Sequence, residues 1–162
     1  MTQRMKIQTR RFGEVVVDSD TVWHFPNGLL GLEERERWCL LHHEQVDHLD
    51  WLQAVDDPEL AVLLVNPDEL FKDYNVDVDE ADIAPLQLSD VLAHEGTPPV
   101  VMRVIIRPQE ESETFVINVA APILFNLANR RGMQLALDVH RLPPRYRGPV
   151  ALSTGTEALA TV

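Results

Sequence analysis

Within His42-His43-Glu44-Gln45-Val46-Asp47-His48, three imidazoles and two carboxylates crowd into seven residues. Zinc or iron would need those groups to converge on one point. Adjacent residues on a strand or extended loop point to opposite sides, so His42 and His43 diverge. The run is read as a polar connecting loop, with a metal site as the competing reading. Asp56-Asp57-Pro58 is a second candidate, since neighbouring carboxylates can share a proton or hold a cation. Asp before Pro is also ordinary turn chemistry, and the structural role is preferred. Cys39 is the single cysteine and lies between Trp38 and Leu40. With no local nucleophile signature, it reads as a buried core thiol. His24, His94 and His140 are isolated and read as surface or satisfied core residues.

The usual catalytic signatures are absent. No serine sits in a nucleophile elbow, no phosphate-cradling glycine loop precedes a helix, and there is no HExxH, cysteine metal motif or EF-hand loop. Gly28 and Gly31 lack the strand-to-helix context of a nucleotide site. A binding module is therefore favoured over an enzyme, and no cofactor is expected.

The elements around these residues are legible from turn chemistry. Leu49–Val55 and Ala61–Val65 flank the acidic turn and read as a β-hairpin. The second strand is apolar throughout, which calls for burial on both faces, and Asn66-Pro67 stops it. Met5–Thr9 and Glu14–Asp18 alternate around Gly13 and form a first hairpin. Thr21–Phe25 and Arg37–His42 read as strands. Asp68–Tyr74 reads as a short helix capped by Asp68, with Leu70 and Phe71 facing inward. Ser89–His94 is a further helical turn or a strand lead-in. Val100–Ile106 and Thr114–Val119 pair antiparallel. Ala120-Ala121-Pro122 should break the second of these, before Ile123–Asn126 and Met133–Asp138 resume. Many short strands and little helix predict an all-β fold: a small antiparallel β-barrel or barrel-like sandwich with one or two short helical turns. The expected domain is 1–147, followed by a flexible tail over 148–162.

Charge is unevenly spread. The net charge of −12 arises in residues 44–95, which carry −14, while 1–43 are neutral and 96–162 carry +2. Such a field repels phosphate backbones, which argues against direct nucleic-acid binding, and it attracts basic proteins. A solvated face that merely keeps the protein soluble is the competing reading. Charged residues throughout Met1–Asp20 argue against a signal peptide or membrane anchor. With a single cysteine, they point to the reducing cytoplasm. Between two glycines and a proline, Leu29, Leu30 and Leu32 are too apolar for a solvated loop. They either plug the barrel end or meet a partner.

Three stretches together resemble the flagellar assembly factor FliW family. They are Phe25-Pro26-x-Gly28-Leu29-x-Gly31-x-Glu33, Trp51-Leu52-Gln53-Ala54-Val55-Asp56-Asp57-Pro58, and Asn118-x-x-Ala121-Pro122-Ile123 followed by Gly132-x-Gln134. Arg11-Phe12-Gly13-Glu14 fits as well, and the likeness spans roughly residues 5 to 140. The chain departs from the pattern at Asn27, Leu30 and Leu32, where members commonly have Glu, Pro and Phe.

The resemblance implies a non-enzymatic protein that binds flagellin, chiefly its carboxy-terminal region, and the RNA-binding translational regulator CsrA. Secretion of flagellin would free the protein to capture CsrA and so relieve repression of flagellin translation. On this reading Leu29, Leu30 and Leu32 border the flagellin site. Asp73, Asp77, Asp79, Glu80 and Asp82 supply the field met by the regulator. Trp51 and Val55 are expected in the core, with Gln53 satisfying nearby backbone groups. A β-barrel that holds a small ligand or metal is the alternative.

Overall fold

The computed structural model describes residues 3–42, 49–76, 78–88, 100–109 and 113–153. The first hairpin forms as read. β1 (Arg4–Thr9) and β2 (Gly13–Asp18) pair antiparallel, and Gly13 takes a left-handed φ of +68° at the turn. Apart from the main sheet, this hairpin lays Ile7, Met5, Val15 and Val17 over Cys39 and Val55.

Seven strands close into a barrel: β3 (Trp23–His24), β4 (Arg37–His42), β5 (Leu49–Ala54), β6 (Ala61–Val65), β7 (Val100–Pro108), β8 (Thr114–Asn126) and β9 (Arg131–Gln134). Neighbours are antiparallel except β3 and β9, which meet in parallel at His24 and Arg131. The all-β barrel expected from the sequence is the fold observed. The third strand is shorter than expected, because Ser19–Thr21 is spent on a 3-10 turn.

β8 is the element that the sequence misleads about. Ala120-Ala121-Pro122 does not break it; the strand runs through. Between the pairs Arg103↔Ile123 and Ile105↔Asn118 the register slips, so Val104 alone spans Val119–Pro122. A bulge of this kind bends the strand and needs no ladder donor from Pro122. On the other side the carbonyls stay in use: Leu135 N–H donates to Pro122 O at 2.9 Å, and Leu137 N–H to Ala120 O at 2.9 Å.

Strand alternation sorts the apolar side chains into layers. Trp23, Phe25, Trp38, Leu52, Ala54, Leu64, Ile123 and Phe125 fill the ring, with Phe125 edge-on to both Trp23 and Phe25. On the outer face Leu63, Val65, Val104, Ile106, Ile117 and Val119 are covered by Leu70, Phe71, Tyr74, Leu142 and Tyr146. β6 is therefore sandwiched, as its unbroken apolar run requires.

Two local readings are corrected. In place of the helix expected over Asp68–Tyr74 there is one 3-10 turn, Pro67–Glu69, and its cap is Asn66, whose Oδ1 accepts from Asp68 N–H at 3.0 Å; Asp68 is not the cap. Leu70 and Phe71 do pack inward. The tail expected from Gly148 begins with an ordered strand, β10 (Val150–Ser153), paired to Thr114–Ile117 of β8. Residues 154–162 and the Ser89–His94 element lie outside the described residues.

Gly132 shows how tightly the ring is closed. A Cβ there would stand 2.4 Å from the buried Phe25 ring. Gly132→Ala should cost about 1–3 kcal/mol, read as a lower urea midpoint with unchanged slope. A variant as stable as the parent would show that Phe25 is free to shift.

Candidate partner-binding site

The Gly28–Glu33 loop is built by its two glycines. Gly28 and Gly31 have φ of +62° and +83°, and a Cβ on Gly28 would lie 2.3 Å from Leu32 O. Leu29 and Leu32 bridge one another, Leu32 N–H donating to Leu29 O at 2.8 Å. Gln134 then holds the loop against the barrel. Its Oε1 accepts from Leu30 N–H at 2.8 Å, while its Nε2 donates to Ala121 O at 3.0 Å. That role was not visible in the sequence, although Gly132-x-Gln134 belonged to the matched pattern.

This geometry separates the three leucines. Leu29 is 2% exposed and plugs the ring, Leu32 is half-buried, and Leu30 is 53% exposed. All three border an open groove of about 380 Å³ at the barrel mouth, with Val62, Ile105 and Val116 on the strand side. Leu29 takes the plug position, and Leu30 is the leucine left open to solvent beside the groove.

The acidic candidates do not form one uniform patch. Asp73 is held by Arg145 and accepts from Tyr146 Oη–H at 2.6 Å. Asp79 pairs with Arg141 at 3.7 Å. Glu80 and Asp82 are exposed on the 3-10 turn Glu80–Leu86. Asp77 lies outside the described residues. Two of the expected charges are thus partly neutralised by a basic carboxy-terminal segment distant in sequence.

The remaining sequence candidates resolve into structural roles. Asp56 makes a paired contact with Arg37 (Nη2 to Oδ1 2.5 Å, Nε to Oδ2 3.2 Å), and Asp57 meets Arg35 at 3.3 Å. Asp57 Oδ1 also accepts from Glu59 N–H at 3.1 Å, as in an Asx turn. Gln53, fully buried, donates through Nε2 to the carbonyls of Ala54, Asp57 and Leu60 at 3.0–3.1 Å. Trp51 is half-buried beneath Arg11, whose guanidinium stacks 3.8 Å from its ring, so it is less enclosed than Val55. His42 Nδ1 lies 3.1 Å from Asp50 Oδ1, and residues 43–48 of the histidine-rich run lie outside the described residues.

Comparison with known proteins places this architecture. The model of the FliW protein family matches residues 6–147. The flagellar assembly factor FliW of Natranaerobius thermophilus is 28% identical, over 98% of this chain and all of that protein. That of Carboxydothermus hydrogenoformans is 32% identical over 92% and 91% of the two chains. A crystal structure of the flagellar assembly factor FliW superposes with a TM-score of 0.71 at 28% identity, covering 82% of this chain and 89% of the other.

Burial pushes the Cys39 thiol up from 9.0 to about 11. The folded state thus favours the protonated thiol. Its contribution is full below pH about 9 and is lost as pH rises toward 11, a change on the order of 2 kcal/mol. Cys39→Ala should show a shallower stability loss over that window in urea titrations. Parallel curves for parent and variant would place the thiolate in solvent.

Proposed function

The chain belongs to the FliW family, and on that premise we propose that it serves flagellar assembly by reversibly covering other polypeptides. It transforms no substrate. Flagellin docks at the barrel-mouth groove. When flagellin is exported, the vacated protein captures CsrA in the cytoplasm and lifts its repression of flagellin translation. The observation that carries this reading is the groove itself. A leucine half open to water, on a loop fixed by Gln134 and two left-handed glycines, is an apolar surface prepared in advance. Unassembled flagellin termini are amphipathic and need such cover.

The regulator is drawn in by charge. RNA-binding proteins carry basic surface, and Glu80 and Asp82 stand exposed; in the sequence Asp77 belongs to the same acidic run. Asp73 and Asp79, engaged by Arg145 and Arg141, shape this face more than they charge it. Leu29 and Leu32 set the groove's floor and Leu30 its contact. Adding flagellin to a preformed complex with CsrA tests the scheme: displacement of CsrA supports exchange, and a stable ternary complex refutes it.

Leu30→Asp should weaken flagellin binding by about tenfold or more, from a lost burial of roughly 1.5–3 kcal/mol, while leaving the melting temperature unchanged. Full affinity in a folded variant would remove Leu30 from the contact. Reversing Glu80 and Asp82 to Lys should slow CsrA association severalfold at low salt and flatten its salt dependence. Stopped-flow on-rates indifferent to both changes would sink the electrostatic assignment.

A further inference from the structure

The β1–β2 hairpin carries four basic and two acidic side chains between Arg4 and Asp18, opposite in sign to a chain of net charge −12. Its tip is tied to the β5–β6 turn. The Arg10 backbone N–H donates to Pro58 O at 2.9 Å, and Arg10 Nη1 meets Glu59 Oε2 at 2.9 Å. Between tip and turn lies an open pocket of about 430 Å³, lined by Arg10, Arg11, Gln53, Pro58, Glu59 and Ala61. Two of the stretches that carry the family likeness, Arg11–Glu14 and Trp51–Pro58, meet here from distant parts of the chain. The pocket shares no lining residue with the barrel-mouth groove.

Two groups here have unmet demands. The Arg11 guanidinium lies over Trp51, 3.8 Å from the ring centre, which fixes its position and leaves its N–H groups free to donate. Among the described residues Arg11 has neither an ion pair nor a hydrogen-bond acceptor. Gln53, 0% exposed, spends its Nε2 on three carbonyls, and among the described residues its Oε1 is the buried side-chain oxygen without a donor. A buried acceptor left unpaired is costly, so the pocket favours a ligand that brings a donor as well as an anionic oxygen.

We propose that this pocket receives an aspartate or glutamate side chain of a protein partner, its carboxylate on Arg11 and a neighbouring backbone N–H on Gln53 Oε1. One acidic residue within a peptide supplies both groups, two acceptor oxygens and a donor. A phosphate fits less well, because Glu59 at the rim and the charge of the whole chain repel a dianion more than a single carboxylate. The same field disfavours a run of acidic residues, so the site suits an isolated one. It is a second contact surface, separate from the groove and opposite in charge to the acidic turn.

The test titrates the capped peptide acetyl-Ala-Glu-Ala-amide into the isotope-labelled chain and follows the Trp51 indole N–H by NMR. Acetyl-Ala-Gln-Ala-amide, propionate and inorganic phosphate serve as comparisons. The glutamate peptide should bind about tenfold or more tightly than the glutamine peptide, and more tightly than propionate, which has no N–H. Arg11 is exposed, so Arg11→Gln should fold, as checked by melting, and should erase the preference for glutamate. Glu59→Gln removes the rim charge and should strengthen glutamate binding severalfold. Leu30→Asp should leave the titration unchanged, which separates this site from the groove. Equal binding of the two peptides, or a preference that survives Arg11→Gln, overturns the proposal. So does glutamate binding that Glu59→Gln fails to strengthen or that Leu30→Asp abolishes. Propionate or phosphate binding as tightly as the glutamate peptide overturns the assignment to a protein partner.

Discussion

A seven-stranded ring this small closes only if one strand turns a corner, and β8 turns it at Val119–Pro122. The slip in register there lets its first half pair with β7 and β10 and its second half with β7 and β9. Everything distinctive follows from that bend. The second half completes the ring around Trp38 and Phe125, and the first half carries its sheet beyond the ring. Val116 and Asn118 therefore stand at the mouth, where the Gly28–Glu33 loop can meet them. Gln134 then joins the corner to the loop, holding Ala121 O with one end of its amide and Leu30 N–H with the other.

Much of this was legible where the signal is local. Turn residues fixed the two amino-terminal hairpin strands and the β5–β6 pair, and the unbroken run Ala61–Val65 announced burial on both faces. Asp56 and Asp57 declared themselves as turn carboxylates, and Arg37 and Arg35 hold them as such. What failed was non-local. Pro122 looks like a terminator because a single strand cannot reveal that its neighbour skips past it. The acidic stretch looked like an open field because Arg141 and Arg145 approach from more than sixty positions away. Leu29, Leu30 and Leu32 looked alike, and only the left-handed turns at Gly28 and Gly31 send them to different depths.

The groove and the acidic turn solve different physical problems. One presents apolar surface, which gives affinity but little reach; the other presents charge, which acts at a distance and gives speed. The aromatic cluster Phe71, Tyr74 and Tyr146 pins the segment that supplies Arg141 and Arg145. Tyr74 buries its hydroxyl, which donates to Val119 O at 2.5 Å, and desolvation together with nearby Tyr146 raises its pKa and keeps the phenol protonated. The same packing that shields the outer face of β8 thus sets how much of the acidic charge is left uncompensated.

β10 has a consequence of another kind. Its four residues cover one edge of β8 at Thr114–Ile117, the side opposite β7, and among the described strands no other pairs on that side. Proteolysis just ahead of Val150 would leave a bare row of amides and carbonyls on the longest strand of the molecule, flanked by Phe115 and Ile117. Two clipped molecules would then be each other's nearest substitute for the missing strand, so the cover that β10 gives this edge is also protection against self-association.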